Sequence, residues 1–216
     1  YICKKGGLTI TVPVNDDRSE LAEVADELLL AAYGAANQLA DGARYLRAMT
    51  LPVYDLLKDK IDIGIYFVDY AMHGKQELDE NLRQYCIQSE NVSQYFDYLE
   101  CFTASGDCDS CIAASDIDSG VLASCIATTD ATYNVTSQYN DQSTWVHGDP
   151  VFDIHKDLCE LYGVTGSPTI IVNGVKVSVN PRSPENFKQI ICSAFNTPPE
   201  ECDQILSTTV PSSGFD

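Results

Sequence analysis

Basic side chains are scarce in this sequence of 216 residues. Its 13 Lys and Arg stand against 32 Asp and Glu, which gives a formal charge of −19. Because binding to phosphate backbones requires an excess of Lys and Arg, this balance excludes a nucleic-acid partner. Hydrophobic residues still make up 44% of the chain, which is enough for a packed core.

Long apolar runs and cofactor motifs are also missing. The uncharged, apolar-leaning run from Leu28 to Leu39 is shorter than the about 20 residues that cross a bilayer. There is no Gly-rich phosphate loop, no Ser-centred elbow and no paired-carboxylate motif. His73, His147 and His155 lack the spacing of metal ligands, so they read as ordinary surface or turn residues. We therefore expect no membrane span, no metal and no cofactor.

Cysteine, in contrast, is abundant. Nine cysteines are typical of an oxidising compartment, and an odd number leaves one thiol free or bonded to another molecule. Two sequons, at Asn91 and Asn134, predict glycosylation and therefore possible glycans. The sequence begins with Tyr1 rather than Met, as that of a processed protein would. These features predict a secreted, extracellular protein, or one in a periplasmic type of oxidising compartment.

The pattern of residues divides the chain into five segments. Residues 1–18 form a β arm, in which Leu8 to Val14 is β-rich and Pro13 restricts the strand to a sheet edge. Residues 19–74 hold a helix kinked at Pro52 and a strand within Ile61 to Val68. A cysteine-rich helical insertion follows at 75–128. Residues 129–206 contain an Asn173-Gly174 hairpin and a closing helix, and 207–216 form a flexible tail.

This order of elements is that of an α/β protein with a thioredoxin-like fold and a helical insertion. The sequence resembles the DsbA-like secreted thioredoxin-fold family, on Gly163 to Thr169, the hairpin after it and Leu51-Pro52-Val53. The resemblance implies a cis-proline loop at Ser167, Pro168 and Thr169. It also implies redox cysteines at the start of the first helix, where this chain has Ala40 and Ala43.

The redox cysteines of that family are therefore absent here. No cysteine lies between Cys3 and Cys86, so the absence holds for any plausible shift of the alignment. Without sulfur at these positions, attack on a disulfide cannot occur there. Alanines introduced by deliberate substitution would give the same sequence. We expect a member of the fold that lacks oxidoreductase activity at this site.

The remaining cysteines suggest structural bridges. Cys108 and Cys111 form the only Cys-x-x-Cys, and the adjacent Asp107 and Asp109 oppose a thiolate there. We expect both to form disulfides with Cys101 and Cys125 as partners, and a zinc site made of these four cysteines stays open. The other disulfide candidates are Cys86 and the pair Cys192 and Cys202. Cys3 and Cys159 are candidates for a bond between chains, although an internal Cys3–Cys159 bridge with Cys108 left over is also open.

These predictions favour a structural role. The leading hypothesis is the self-associating subunit of an extracellular filament, in which the N-terminal strand adds to the sheet of a second copy and an intermolecular disulfide joins them. Its partner would be another copy of the chain. The alternatives are a thiol–disulfide oxidoreductase or isomerase that uses Cys108 and Cys111, and a chaperone that binds peptides beside Ser167-Pro168.

Overall fold

A mixed four-stranded sheet lies at the centre of the fold. The computed structural model describes residues 29–30, 46–164 and 166–211. In this part of the chain the strands are β1 (Leu29–Leu30), β2 (Gly64–Ile65), β3 (Ile170–Val172) and β4 (Val175–Val177). Their order is β2-β1-β3-β4, with β2 parallel to β1 and β3 antiparallel to both β1 and β4. This is the arrangement of a thioredoxin-like sheet.

The hairpin between β3 and β4 follows from its two turn residues. Asn173 and Gly174 have φ values of 51° and 72°. These are the residue types that tolerate positive φ at both central positions of a type I′ turn, whose twist matches that of the flanking strands. The register pairs Val172 with Val175, directly beside the turn.

The connection from β1 to β2 contains a helix that changes geometry at Pro52. A π-helical turn over Leu46–Thr50 is followed by α1 (Leu51–Leu57). Pro52 lies in the first turn of α1, where a missing N–H removes no bond within that helix. At the position of the predicted kink, the helix changes from π to α geometry.

The helical insertion consists of five consecutive helices, three of which have a side-chain cap at their start. They are α2 (Lys75–Glu90), α3 (Val92–Ser105), α4 (Cys108–Ala114), α5 (Ser119–Tyr133) and α6 (Val135–Asn140). Asn91, Asp107 and Asp118 accept bonds from the first N–H groups of α3, α4 and α5. The predicted end of the insertion at 128 falls inside α5, because the chain leaves helical geometry only at Asn134, with a φ of 56°.

Two helices complete the domain. A 3-10 turn at Asp153–His155 leads into α7 (Lys156–Tyr162), and α8 (Pro184–Ala194) follows the hairpin. Successive residues of β3 lie on opposite faces of the sheet. Ile170 and Val172 belong to the main core, whereas Ile171 packs with Leu158 and Val164 on the other face. None of the helices described is both long enough and apolar enough to cross a membrane.

The C-terminal segment is fastened to α8. A disulfide joins Cys192 on α8 to Cys202 in the 3-10 turn Glu200–Asp203, the pair that the sequence favoured. Lys188 is 1% exposed, and its Nζ donates to the backbone oxygens of Cys202, at 3.0 Å, and of Gln204. Ser207 O accepts from the N–H of Glu185 at 3.0 Å. The predicted flexible tail, 207–216, therefore begins at a residue that is hydrogen-bonded to the domain.

Candidate functional site

The sheet brings the cis-proline loop to one particular edge. Because β1 and β2 are parallel and β3 is antiparallel to β1, the carboxyl ends of β1 and β2 lie at the same end as the start of β3. Leu30 pairs with Ile170, so Pro168 lies just beyond the carboxyl end of β1. This edge is where open sheets with parallel strands usually bind ligands, and it is the first candidate site.

The loop itself has the predicted residues in a defined arrangement. The Ser167–Pro168 peptide bond is cis, and a second cis bond lies at Asn180–Pro181. Thr169 is buried, and its Oγ1 donates to Gly166 O at 2.6 Å. Ala40 and Ala43, the positions that the resemblance assigns to redox cysteines, lie outside the described residues.

A small cavity of about 60 Å³ lies beside the loop. It is lined by Pro168, Ile170, Val177, Ser178, Val179 and Arg182. Sites for small molecules usually have volumes of about 300–1,000 Å³, and a water molecule occupies about 30 Å³. This cavity therefore has room for water but not for the side chains of a bound peptide.

His155 lies near the same edge, and it is a core residue rather than the surface or turn residue expected from the sequence. Its Nδ1 accepts a hydrogen bond from the N–H of Phe67 at 2.8 Å, and its ring contacts those of Tyr66, Phe67 and Tyr85. Burial lowers the pKa of His155 to about 3, so the imidazole is neutral. The apolar neighbours Val151, Phe152 and Ile154 were the sequence signal for this burial.

A pair of titratable side chains lies where α2 begins. Glu77 Oε2 accepts a hydrogen bond from the N–H of His73 at 2.9 Å and lies 3.0 Å from His73 Nδ1. Burial raises the pKa of Glu77 to about 8, and the charge of Asp149 adds to this effect. Burial also lowers the pKa of His73. Burial thus disfavours both the carboxylate of Glu77 and the imidazolium of His73, and the pair can hold one proton between them.

The cysteines of the insertion form two disulfides that tie its helices together. Cys86 on α2 is bonded to Cys125 on α5, and Cys101 on α3 to Cys111 on α4. With Cys192–Cys202, these are the disulfides within the described residues. The zinc site left open by the sequence is not formed, because three of its four cysteines are in disulfides.

The expectation that Cys108 forms a structural disulfide needs correction. Cys125, one of its two expected partners, bonds to Cys86 because α2 and α5 pack together, and Cys101 bonds to Cys111. Cys108 is left as a half-buried thiol. Burial is the main cause that raises its pKa; the nearby Arg83 lowers it, and Glu80 and Asp109 raise it further.

The Cys-x-x-Cys motif is therefore not a ready dithiol. Cys111 is fully buried and already bonded to Cys101, and the elevated pKa of Cys108 disfavours its thiolate at neutral pH. This arrangement weakens the alternative of an oxidoreductase that uses Cys108 and Cys111 as its redox pair.

Comparison with known proteins agrees with this architecture. The crystal structure of reduced DsbA from Mycobacterium tuberculosis superimposes on the chain with a TM-score of 0.55. The match covers 90% of this chain and 95% of that one, at 13% sequence identity. The chain has the DsbA-like fold. No family model matches the sequence, and no curated protein sequence matches it.

The remaining predicted sites differ in accessibility. Asn91 and Asn134, the sequon residues, are both exposed, which glycosylation requires. Cys159 is 2% exposed and packs with Leu158, Val164 and Ile171. A bond from Cys159 to a second chain would require this cluster to open, so its burial argues against the predicted intermolecular role. Cys3 lies outside the described residues.

Proposed function

We propose that this protein is an exported, disulfide-stabilised structural subunit with a DsbA-like fold. In this proposal it lacks the redox chemistry of that fold and assembles with copies of itself into an extracellular filament. The observation that carries the proposal is an asymmetry of the sheet: among the described residues, one outer strand is covered and the other is open. Three disulfides in the described residues are typical of proteins that work in an oxidising compartment.

The outer edge of β2 is covered. The N–H of Ile65 donates to Gln88 Oε1, and Gln88 Nε2 donates to Ile65 O, so a side chain of α2 replaces a neighbouring strand. Further along, the N–H of Phe152 donates to Asp69 O at 2.7 Å, and the N–H of Ala71 donates to Pro150 O at 2.9 Å. These bonds leave little backbone on that side for another chain.

The outer edge of β4 is open in the part of the sheet that is described. Val172 and Val175 flank a two-residue turn and form its hydrogen-bonded pair, so Ile171 and Lys176 form the next, non-hydrogen-bonded pair. The N–H and C=O of Lys176 therefore point away from β3. Val175 is 62% exposed. Unpaired backbone groups on an exposed strand are a template for pairing with another chain.

The end of α7 adds apolar surface near this edge. Lys176 Nζ donates to Gly163 O at 3.3 Å, which places the end of α7 close to β4. Leu161, in the last turn of that helix, is 65% exposed. A strand that pairs with β4 would lie near both exposed side chains, and its own apolar residues could cover them.

Residues 8–14 of a second copy suit this edge. Leu8, Ile10, Val12 and Val14 alternate with Thr9, Thr11 and Pro13, so one face of an extended segment is apolar. Pro13 lacks an N–H and must face away from the acceptor strand. Because the donor and acceptor surfaces differ, the contact is head-to-tail, and repetition builds a filament unless the rotation closes a ring.

Three variants test this assembly. Deletion of residues 1–14 and the substitution Lys176→Pro should both give monomers in sedimentation and electron microscopy, whereas the full chain forms polymers. Proline at 176 removes the outward N–H but keeps the bonds of Val175 and Val177 to β3, and Lys176→Thr is the matched control that keeps the N–H. Polymers that persist without residues 1–14, or a monomeric full chain, would refute the proposal.

The absence of redox activity is tested separately. The full chain should not accelerate the reduction of insulin by dithiothreitol above the rate with an unrelated protein, because no cysteine lies between Cys3 and Cys86. Activity that disappears in a Cys108→Ser variant would instead establish the oxidoreductase alternative.

A further inference from the structure

One disulfide of the helical insertion has a free thiol one helical turn away. Cys111 on α4 is bonded to Cys101 on α3, with a Cα–Cα distance of 5.5 Å. Cys108 begins the same helix, one turn before Cys111. Positions three apart in an α-helix have Cα atoms about 5 Å apart, and disulfides usually span Cα–Cα distances of about 4.4–6.8 Å. The backbone therefore places Cys111 at a suitable distance from both Cys101 and Cys108.

A positive charge acts on the unbonded thiol. Arg83 influences Cys108 electrostatically, and its guanidinium donates to Glu80, a carboxyl that is 3% exposed. Glu80 also accepts from Tyr98 Oη and from Gln84 Nε2, each at 2.7 Å. This buried network holds the guanidinium in place, and a neighbouring cation favours a thiolate over a thiol.

Two features oppose the thiolate and slow any reaction. Asp109 Oδ1 accepts from Cys108 Sγ at 3.9 Å, which stabilises the protonated thiol. Burial acts in the same direction and is the larger influence. Cys108 is nevertheless only half-buried, so its reactivity should appear as the pH rises.

We propose that Cys101, Cys108 and Cys111 form an internal thiol–disulfide exchange unit, in which the bond to Cys111 passes between Cys101 and Cys108. The Cys108 thiolate attacks Cys111 Sγ, the Cys108–Cys111 bond forms, and the Cys101–Cys111 bond breaks. Cys101 leaves as a thiolate and takes up a proton equivalent to the one that Cys108 released. The numbers of thiols and disulfides do not change, so no external oxidant or reductant is needed.

The exchange changes what the disulfide constrains. In the described state the bond ties α4 to α3, whereas after exchange it lies within α4 and leaves a thiol on α3. The unit shares no residue with the arm or with β4, so its test does not depend on the proposed assembly. It gives the chain a disulfide whose position responds to pH and to any reagent that captures one of the two thiols.

Labelling of thiols tests the exchange in the full chain. The protein is incubated at several pH values, acidified to stop exchange, labelled with N-ethylmaleimide, digested with pepsin and mapped by mass spectrometry. Label should appear at Cys101 as well as at Cys108, and its rate of appearance at Cys101 should rise about tenfold per pH unit below the pKa of the thiol. Cys86, Cys125, Cys192 and Cys202 should stay unlabelled.

Two variants distinguish exchange from opening of the Cys101–Cys111 disulfide by another route. They also distinguish it from an equilibrium that keeps the bond on Cys101. Cys108→Ser should abolish labelling of Cys101; equal labelling of Cys101 in this variant would overturn the proposal. Cys101→Ser removes the competing partner, so Cys108 and Cys111 should form a disulfide in air. If both stay open to alkylation, Cys111 is out of reach of Cys108 and the proposal fails.

A charge variant tests the identity of the attacking thiol. Asp109→Asn should speed the exchange at neutral pH by up to about fivefold, the effect in water of removing one charge about 4 Å away. Asp157→Asn, an exposed change on α7, is the matched control and should leave the rate unchanged. Equal rates in the two variants would show that the Cys108 thiolate does not carry the reaction.

Discussion

Glu77 should make the stability of the fold decrease as the pH rises, and Glu77→Gln tests this. The carboxyl is buried beside His73, which donates its backbone N–H to it. Burial is the main reason that its pKa rises to about 8, from about 4.5 in an unfolded chain. Glutamine has nearly the same shape and can accept the same hydrogen bond, but it carries no charge at any pH.

The sign and size of the effect follow from these two pKa values. A carboxyl that ionises less readily in the folded state loses stability as pH rises from the unfolded pKa to the folded one. The loss therefore begins above about pH 4.5 and stops growing above about pH 8. Each pH unit within this window costs up to about 1.4 kcal/mol, which bounds the full loss at about 5 kcal/mol. Burial lowers the pKa of His73, so above about pH 7 its imidazole is mostly neutral in both states.

Urea unfolding between about pH 7 and about pH 9 isolates the contribution of Glu77. The free energy of unfolding of the wild-type protein should fall towards about pH 8 and then level off. Glu77→Gln should lack this step and be the more stable protein at the upper end of the range. Glu100→Gln, an exposed change on α3, should follow the wild type. A Glu77→Gln protein that is less stable than the wild type at every pH would refute the reasoning.

Three further substitutions probe the contacts that hold the fold together. Replacing both Cys192 and Cys202 by Ala opens a loop of sequence separation 10 and should cost about 2–3 kcal/mol in thermal unfolding without reductant, a difference that should vanish when both proteins are reduced. Lys188→Met leaves two carbonyl oxygens and the carboxylate of Glu185 without their donor and should cost about 2–5 kcal/mol in urea unfolding; no measurable loss would show that the bonds of Lys188 do not stabilise the fold. His155→Phe fills the same space but leaves the N–H of Phe67 without its acceptor, so it should cost about 1–3 kcal/mol, and a neutral effect by the same assay would contradict the structural role of this imidazole.

Local features of the fold could be predicted from the sequence because nearby residues determine them. Asn173-Gly174 specifies a hairpin through the φ values that both residues tolerate, and the hairpin is present. The break at Ser105-Gly106-Asp107 is likewise local. Gly106 ends α3 in the left-handed region, and Asp107 caps α4.

Features that depend on which helices pack together could not be predicted. The partner of Cys125 is decided by the contact between α2 and α5, and no spacing along the chain indicates it. The network around Glu80 joins Arg83 and Gln84 on its own helix to Tyr98 on the next one. In the sequence these are ordinary polar residues, and only the packing of α2 against α3 buries them.

In the candidate site, too, one feature could be predicted from the sequence and another could not. The loop at Ser167-Pro168 was predicted from its resemblance to a known loop, and the fold places it beyond the carboxyl end of β1. The open edge of β4 could not be inferred from the sequence. The covered edge of β2 could not be inferred either, because the contact of Gln88 with Ile65 joins residues 23 positions apart.

Cross-linking between isotopically distinct copies tests the central claim most directly. Full-length protein with a photoreactive amino acid at Thr11, grown in heavy nitrogen, is mixed in the unfolded state with light wild-type protein, assembled, irradiated and mapped by mass spectrometry. The proposed assembly predicts cross-links from heavy residues 8–14 to light residues 175–177. Cross-links that join only heavy peptides to one another, or that bypass β4, would contradict strand addition between copies.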